Sequence, residues 1–274
     1  MRRLLCALAL AGPIATTPVR AEPILLAPHR AVYELTLDGS RGARTIEAGR
    51  GRIAFEFTGS ACEGYSLTYR QVTVLESSES GAKTSDLRTS QHESGDGRSF
   101  RFRNDSKGAS DTSVVDGEAD KSASGQVSVR IRLPKRDSYT ADGEPIFPNA
   151  QMRDLIAAAR AGRTTVSEKL FDGSDDGRKV YDTLAVIGKR IEPGPAAGLE
   201  EAARQPELAR MPRWPVTLSY FTPGRSDGTP VYVLSFELYD NGVSRALRLD
   251  YGDFALKGEM KRLDLLPADK GCQR

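Results

Sequence analysis

Residues 126–133 read QVSVRIRL, and this stretch indicates the fold class. Its apolar residues, Val127, Val129, Ile131 and Leu133, alternate with polar or charged ones. Strict alternation gives a strand one buried face and one solvated face, which is typical of antiparallel β-sheets. The same pattern recurs in HRAVYELTL (29–37), GRIAFEFTG (51–59), RSFRFRND (98–105), RKVYDTLAVIG (178–188), WPVTLSYFT (214–222), PVYVLSFELYD (230–240), SRALRLDYG (244–252) and FALKGEMKRLDLL (254–266). The sequence therefore predicts a mainly β protein.

The turn residues indicate that neighbouring strands form hairpins. Asp-Gly or Asn-Gly pairs separate many of the alternating runs, and these residues accept the positive φ that tight turns require. Asn241-Gly242, between SFELYD and VSRALRL, is the strongest of these signals. The serine-rich tract from Ser77 to Ser124 keeps strand-like islands, so we expect long hairpins there as well.

One segment, residues 148–162, breaks the alternation and predicts a helix. Its apolar side chains recur at spacings of three and four, its alanines favour helix, Pro148 suits a first turn and Gly162 suits a C-cap. We expect this helix to pack along or inside a curved sheet. A second helical pattern, GLEEAARQPELAR (198–210), is interrupted by Pro206 and predicts a crossover loop with about one helical turn.

The first 21 residues have the order of a secretory signal peptide. Two arginines precede an apolar run from Leu4 to Ala15, and a small residue, Ala21, stands at the expected cut. The run is too short to span a bilayer. We therefore expect cleavage near Ala21, export of residues 22–274 as a single domain, and no transmembrane segment in the exported chain.

The cysteines give the next expectation. Loss of the signal peptide removes Cys6 and leaves Cys62 and Cys272. Two thiols in an oxidising compartment usually pair, and a bond that closes so long a loop stabilises the chain by about 5 kcal/mol in the chain-entropy model. Buried free thiols and an active thiol are the alternatives. An active thiol needs a nearby base, and the chain has two histidines, His29 and His92.

The remaining motifs give no support for an enzyme, a cofactor or a metal site. No glycine-rich phosphate motif precedes a helix, and no set of nucleophile, base and orienting group can be assembled. FDGSDDGRK (171–179) matches the first half of an EF-hand loop, but Thr183 stands where a bidentate acid is needed, so we interpret it as a polar hairpin tip. Lys plus Arg number 39 and Asp plus Glu 37, a balance that does not attract nucleic acid.

Aromatic residues crowd the C-terminal third of the chain. In a curved sheet, inward aromatic rings either fill the core or line a ligand cavity, and both interpretations stay open. The candidates for lining a cavity are Leu155, Phe236 and Phe254.

Four stretches resemble the cell-envelope integrity proteins typified by EipB, which are exported alphaproteobacterial proteins of the periplasm. They are APHRAVYELTL (27–37), FDGSDDGRKVYDTLAVIG (171–188), WPVTLSYF (214–221) and SFELYDNGVSRALRLDYGDFALKGEMKRL (235–263), with a cysteine near the C-terminus. The resemblance implies a single open, highly curved antiparallel β-spiral, barrel-like, with one packed helix. It also implies a disulfide between Cys62 and Cys272, in agreement with the cysteine count.

The resemblance implies a role in keeping the envelope intact, with no enzymatic activity and no cofactor. Two hypotheses follow. The first is a protein-interaction module, for which a periplasmic tetratricopeptide-repeat protein is the partner that the resemblance implies. The second is a carrier that binds a lipid or another apolar ligand on the concave side of the sheet, because the spiral is similar to periplasmic carrier folds. Fold alone does not decide between them.

Overall fold

The computed structural model describes residues 23–41, 46–108, 110–194, 198–224 and 228–267. The predicted signal peptide, Cys6 and Cys272 therefore lie outside the described residues. Within them, the chain is mainly β, as predicted, and its strands form one antiparallel sheet.

The sheet has fourteen strands in the part of the chain that is described. They are β1 (His29–Ser40), β2 (Ala48–Ser60), β3 (Gly64–Ser77), β4 (Gly81–Glu93), β5 (Ser99–Lys107), β6 (Thr112–Lys121), β7 (Val127–Leu133), β8 (Asp137–Thr140), β9 (Thr165–Leu170), β10 (Tyr181–Ile187), β11 (Arg213–Phe221), β12 (Tyr232–Tyr239), β13 (Ser244–Asp250) and β14 (Phe254–Leu265). The long hairpins predicted for the serine-rich tract are present as β4, β5 and β6.

The order of the strands makes the sheet an open spiral. Strands β1 to β8 follow one another in one direction, β14 to β9 follow one another in the other, and the pairing of β1 with β14 joins the two series. The edges are β8 and β9. Just after β8, Ile146 makes backbone hydrogen bonds with Lys169 and Phe171, so this segment lies along β9 without closing the sheet. The predicted open antiparallel spiral is confirmed.

The inner face of the spiral follows from the two-residue alternation. In β1, Ala31, Tyr33 and Leu35 are buried while the residues between them are more exposed. The predicted hairpin at Asn241-Gly242 joins β12 to β13, and Gly242 adopts a φ of 87°, in the left-handed region that favours glycine. Side chains from β2 and β3 share a core cluster with side chains from β10 to β12, which shows how strongly the sheet curls.

The main helix, α1 (Pro148–Arg160), lies within this curl. The prediction of a helix over residues 148–162 is confirmed: Ala161 caps the C-terminus, and Gly162 follows with a φ of 71°. The helix shares the core cluster that contains β2, β3 and β10 to β12, where it buries the side chains of Leu155, Ile156, Ala158 and Ala159. Gln151 is also buried and donates a hydrogen bond to Thr183 of β10 (3.0 Å).

The N-terminus of α1 is capped from a distant strand. No local side chain caps it. Instead, the carboxylate of Glu93 at the end of β4 accepts hydrogen bonds from the backbone N–H groups of Asn149 (2.7 Å) and Ala150 (3.2 Å). Arg153 lies 3.5 Å from the same carboxylate. Glu93 therefore connects the β4 strand to the helix inside the spiral.

The predicted crossover loop contains a 3-10 turn (Glu201–Ala203) and a short helix, α2 (Pro206–Ala209), as expected. The residue before the 3-10 turn, Glu200, accepts hydrogen bonds from the side chain of Arg245 (2.5 Å) and the backbone N–H of Ala246 (3.0 Å). Arg245 also bonds Glu237. The side chains of Arg245 and Glu200 are only 7% and 9% exposed, so this is a buried ionic network.

The loop over residues 171–180 is a hairpin tip, as predicted: it connects the paired strands β9 and β10, and its residues 175, 176 and 178 are exposed. Phe171, Gly173 and Gly177 are nevertheless buried against β5, β6 and β7. A Cβ at Gly173 would lie 2.3 Å from the ring of Phe102, and Asn104 donates a hydrogen bond to the Gly173 carbonyl (2.6 Å). The loop sequence did not predict this packing because the covering strands come from another part of the chain.

Candidate ligand cavity

The interior of the spiral is not completely filled. A cavity of about 210 Å³ lies between strands β1 to β3 on one side and β12 and β13 on the other, with α1 at one end. It is lined by His29, Tyr33, Ile53, Phe55, Tyr69, Met152, Tyr232, Leu234, Phe236, Gly242, Ser244, Leu247 and Leu249. Most of these side chains are apolar, which is typical of small-molecule sites.

A second chamber of about 140 Å³ adjoins the first. Both are bounded by His29, Phe55, Met152 and Gly242. The rest of the second chamber is formed by Leu26, Ala27, Phe57, Leu67, Pro148, Asn149 and Asn241. The two chambers together reach the lower end of the roughly 300–1,000 Å³ of ligand pockets. Because Met152 belongs to α1, the helix forms a wall of both.

His29 stands where the two chambers meet, and it is only 3% exposed. Its Nδ1 lies 2.8 Å from the carbonyl oxygen of Ala27, and its ring stacks on Phe55 with centroids 5.0 Å apart. Burial lowers the pKa of His29, and the hydrogen bond to Ala27 opposes this in part. A neutral imidazole at this position donates its Nδ1 proton to the carbonyl, which gives His29 a structural role.

The end of the larger chamber away from His29 is polar but uncharged. Tyr69 donates its hydroxyl proton to Oε1 of Gln71 (2.5 Å), and Nε2 of Gln71 donates to the hydroxyl of Tyr251 (3.1 Å). The rings of Tyr232 and Tyr251 lie 5.1 Å apart. Burial raises the pKa of Tyr69 and of Tyr232, which keeps both hydroxyls protonated. We call Tyr69, Gln71, Tyr232 and Tyr251 the hydroxyl cluster.

Comparison with known proteins identifies the family. The family model described as EipB-like matches residues 20–267. This chain belongs to the EipB-like family. It is 36% identical over 261 residues to the cell envelope integrity protein EipB of Brucella abortus (strain 2308), a match that covers 93% of this chain and 90% of that protein.

The fold of this EipB-like chain is also that of a solved relative. The crystal structure of a β-barrel-like protein of a domain of unknown function from Brucella abortus matches it with a TM-score of 0.79 and 35% identity, over 89% of this chain and 99% of that one. The fold class and the family expected from the sequence are therefore confirmed. A role related to the cell envelope follows from the family.

The structure places the three residues that were predicted to line a cavity in different surroundings. Phe236 lines the larger chamber. Leu155 is 1% exposed on the sheet-facing side of α1, within the core cluster. Phe254, at the start of β14, stacks on Tyr251 with ring centroids 5.0 Å apart. The sequence analysis did not predict that Met152 and Tyr69 line the larger chamber.

Cys62 lies in the turn between β2 and β3 of the EipB-like chain and is exposed. Its predicted partner, Cys272, falls beyond residue 267, the last one described, so the pairing stays a prediction. No helix within the described residues is both long enough and apolar enough to cross a membrane. The same residues contain no cluster of three or more His, Cys, Asp or Glu side chains that could hold a metal ion.

Proposed function

We propose that this protein supports the cell envelope from the periplasm by binding an apolar ligand inside its β-spiral, without catalysing a reaction. The observation that carries the proposal is the pair of adjoining apolar chambers between β1–β3, β12–β13 and α1. Interiors of proteins are normally packed to crystal density with few voids larger than a water molecule. An unfilled space of this size in the middle of the sheet is therefore a candidate binding site.

The test is native mass spectrometry of the full chain purified from the periplasm of its own cells. The expected result is a mass above that of the polypeptide, and the extra mass should leave on organic extraction. Leu247→Trp, which puts a larger side chain into the larger chamber, should lose the extra mass. Leu133→Trp, at an exposed position on β7, is the matched control and should keep it. A bare polypeptide mass in every preparation counts against the proposal.

A protein-interaction role is the second candidate, and the open edge of the sheet favours it. Ala141 donates its N–H to Val127 of β7 (2.8 Å), so by alternation the N–H groups of Ser138 and Thr140 point away from β7. In agreement, the N–H of Ser138 bonds the side chain of Asp137 (2.8 Å). A partner could add a strand to this edge.

A proline on this edge tests the second candidate. Thr140→Pro removes one outward N–H and keeps the bonds to β7, whereas Thr140→Ala keeps the N–H and serves as control. If a tetratricopeptide-repeat protein binds along β8, Thr140→Pro should weaken its copurification and Thr140→Ala should not. Equal copurification of the repeat protein by both variants would show that the partner, if any, binds elsewhere.

Export, cleavage near Ala21 and the Cys62–Cys272 disulfide belong to the same proposal. The strand register supports the disulfide. His29 pairs with both Phe57 and Leu265, so the end of β14 lies two strand spacings from β2, about 10 Å. Both strands leave the sheet in the same direction. The seven residues from Leu265 to Cys272 can extend about 23 Å, enough to reach a turn about 15 Å away.

A further inference from the structure

We infer that the ligand is a single-chain amphiphile with an uncharged polar end that can donate a hydrogen bond, such as an alcohol or an amide, and that this end meets the hydroxyl cluster. The inference rests on the proposed function, because it names the chemical class of the ligand for the same cavity. Three features of the described residues lead to it: the charge of the lining, the hydroxyl cluster and the volume.

The lining carries no charge. Among the described residues that bound the two chambers, none is Lys, Arg, Asp or Glu. His29 is the one side chain of this lining that titrates near neutral pH, and burial favours its neutral form. A carboxylate or phosphate in this space would lose its hydration without gaining a cationic partner, and burial of an unpaired charge is very costly. Fatty-acid anions and phospholipid head groups are therefore disfavoured.

The hydroxyl cluster supplies what an uncharged polar group needs. Tyr69 donates its hydroxyl proton to Gln71, and its oxygen can still accept a hydrogen bond. The hydroxyl of Tyr232, at the same end, is hydrogen-bonded to the hydroxyl of Tyr251, and its oxygen can also accept a hydrogen bond. A hydroxyl or amide group can donate to such oxygens, whereas a pure hydrocarbon would leave them facing apolar surface.

The volume limits the ligand to one chain. A cavity of about 150 Å³ holds benzene, which has six heavy atoms. Scaled from that value, the larger chamber holds about eight heavy atoms and both chambers together about fourteen. This is the size of a single medium-length chain with a small head. A diacyl lipid is several times larger and does not fit.

The experiment compares three ten-carbon probes that differ in the head group. Binding of 1-decanol, decanoate and decyl phosphate to the delipidated full chain is measured by calorimetry at pH 8, each below the concentration at which it aggregates. We expect 1-decanol to bind at least tenfold more tightly than either anion. Equal or tighter binding of decanoate or decyl phosphate overturns the inference but leaves the cavity proposal standing. Binding of none of the three overturns both.

Variants locate the polar end. In Tyr69→Phe/Tyr232→Phe, two hydroxyls are removed at almost constant volume, and the affinity for 1-decanol should fall about fivefold or more, as expected for one lost hydrogen bond. Toluene, which has no polar group, reports whether the cavity is intact and should bind this variant as it binds the wild type. Tyr181→Phe, whose hydroxyl bonds Asp175 instead, is the control and should bind 1-decanol normally. An unchanged affinity of the double variant for 1-decanol would place the polar end elsewhere and overturn this assignment.

Discussion

Glu93 offers the sharpest test of how the helix is held inside the spiral. Its side chain is 1% exposed, accepts two backbone hydrogen bonds from the first turn of α1 and lies beside Arg153. In Glu93→Ala, two N–H groups at the helix N-terminus lose their acceptor and the guanidinium loses its partner. Loss of a helix cap costs about 1 kcal/mol, and groups left unsatisfied in a buried setting cost about 1–3 kcal/mol more.

We therefore expect Glu93→Ala to lower the free energy of unfolding by about 3 kcal/mol, from the sum of those two costs. For a domain of this size that corresponds to a fall in Tm of about 6–12 °C. Glu93→Gln keeps an oxygen acceptor and the side-chain volume, and it removes a charge that burial disfavours, so at pH 7 it should be at least as stable as the wild type. Chemical denaturation of both variants at pH 7 measures the difference. If Glu93→Ala and Glu93→Gln unfold at the same denaturant concentration, the carboxylate does not cap α1.

The pH dependence gives an independent check of the same site. Burial raises the pKa of Glu93 above its ordinary value of 4.5, and the bonds from Asn149 and Ala150 with the charge of Arg153 oppose this only in part. The folded state therefore binds the proton more tightly than the unfolded state. This contribution to stability is complete below about pH 4.5 and is lost as the pH rises through the folded-state pKa. The wild type should accordingly lose stability relative to Glu93→Gln between pH 4.5 and pH 7, and a constant difference would refute the reasoning.

Three further substitutions test other parts of the fold. Cys62→Ser should lower the free energy of unfolding of the oxidised, exported protein by about 2–5 kcal/mol; equal melting of wild type and variant, with a free thiol in both, would count against the disulfide. Arg245→Met leaves the buried carboxylate of Glu200 without its cationic partner and should cost about 3–5 kcal/mol, whereas Arg248→Met, at a 39% exposed arginine, should cost less than about 1 kcal/mol. Gly177→Ala forces a Cβ to 2.8 Å from two side chains at a φ of 73°, so in thermal melts it should destabilise more than Gly162→Ala, where the φ of 71° is similar and nothing lies within 4 Å.

The local features of the fold were predictable from the sequence, and the reason is physical. Alternation assigns the faces of a strand, Asn241-Gly242 supplies the positive φ of a tight turn, and the spacing of apolar residues with Pro148 defines α1. Each of these signals depends on residues that lie close together in the sequence. The long hairpins of the serine-rich tract were predictable for the same reason.

The features that depend on distant residues were not predictable from the pattern alone. The cap of α1 comes from Glu93, more than fifty positions away from the helix start. Gly177 is buried because Val115 and Ile131 lie against it, and no residue pattern within the loop predicts this contact. The hydroxyl cluster is likewise formed by β3, the start of β12 and the residue after β13, which meet only because the sheet curls. Tyr69 could have been found by its place in the alternation of β3.

The sequence also leaves open whether the concave side is filled, because alternation shows which side chains point inward and not whether their volumes add up. Two insertions occupy the spiral: α1 at one end, and the loop over residues 171–180 against β5 to β7. Between them, the hairpin of β12 and β13 presents small residues, Gly242 and Ser244, to the larger chamber. Apolar groups that fill this space would stabilise the fold by about 25 cal/mol per Å² of apolar surface removed from water. A larger apolar side chain at Ser244 would do so without disturbing the alternation, and a bound apolar ligand would act in the same way, whereas a Cβ at Gly242 would lie 2.9 Å from Leu26. If the proposed function holds, occupancy of the cavity should therefore raise the free energy of unfolding.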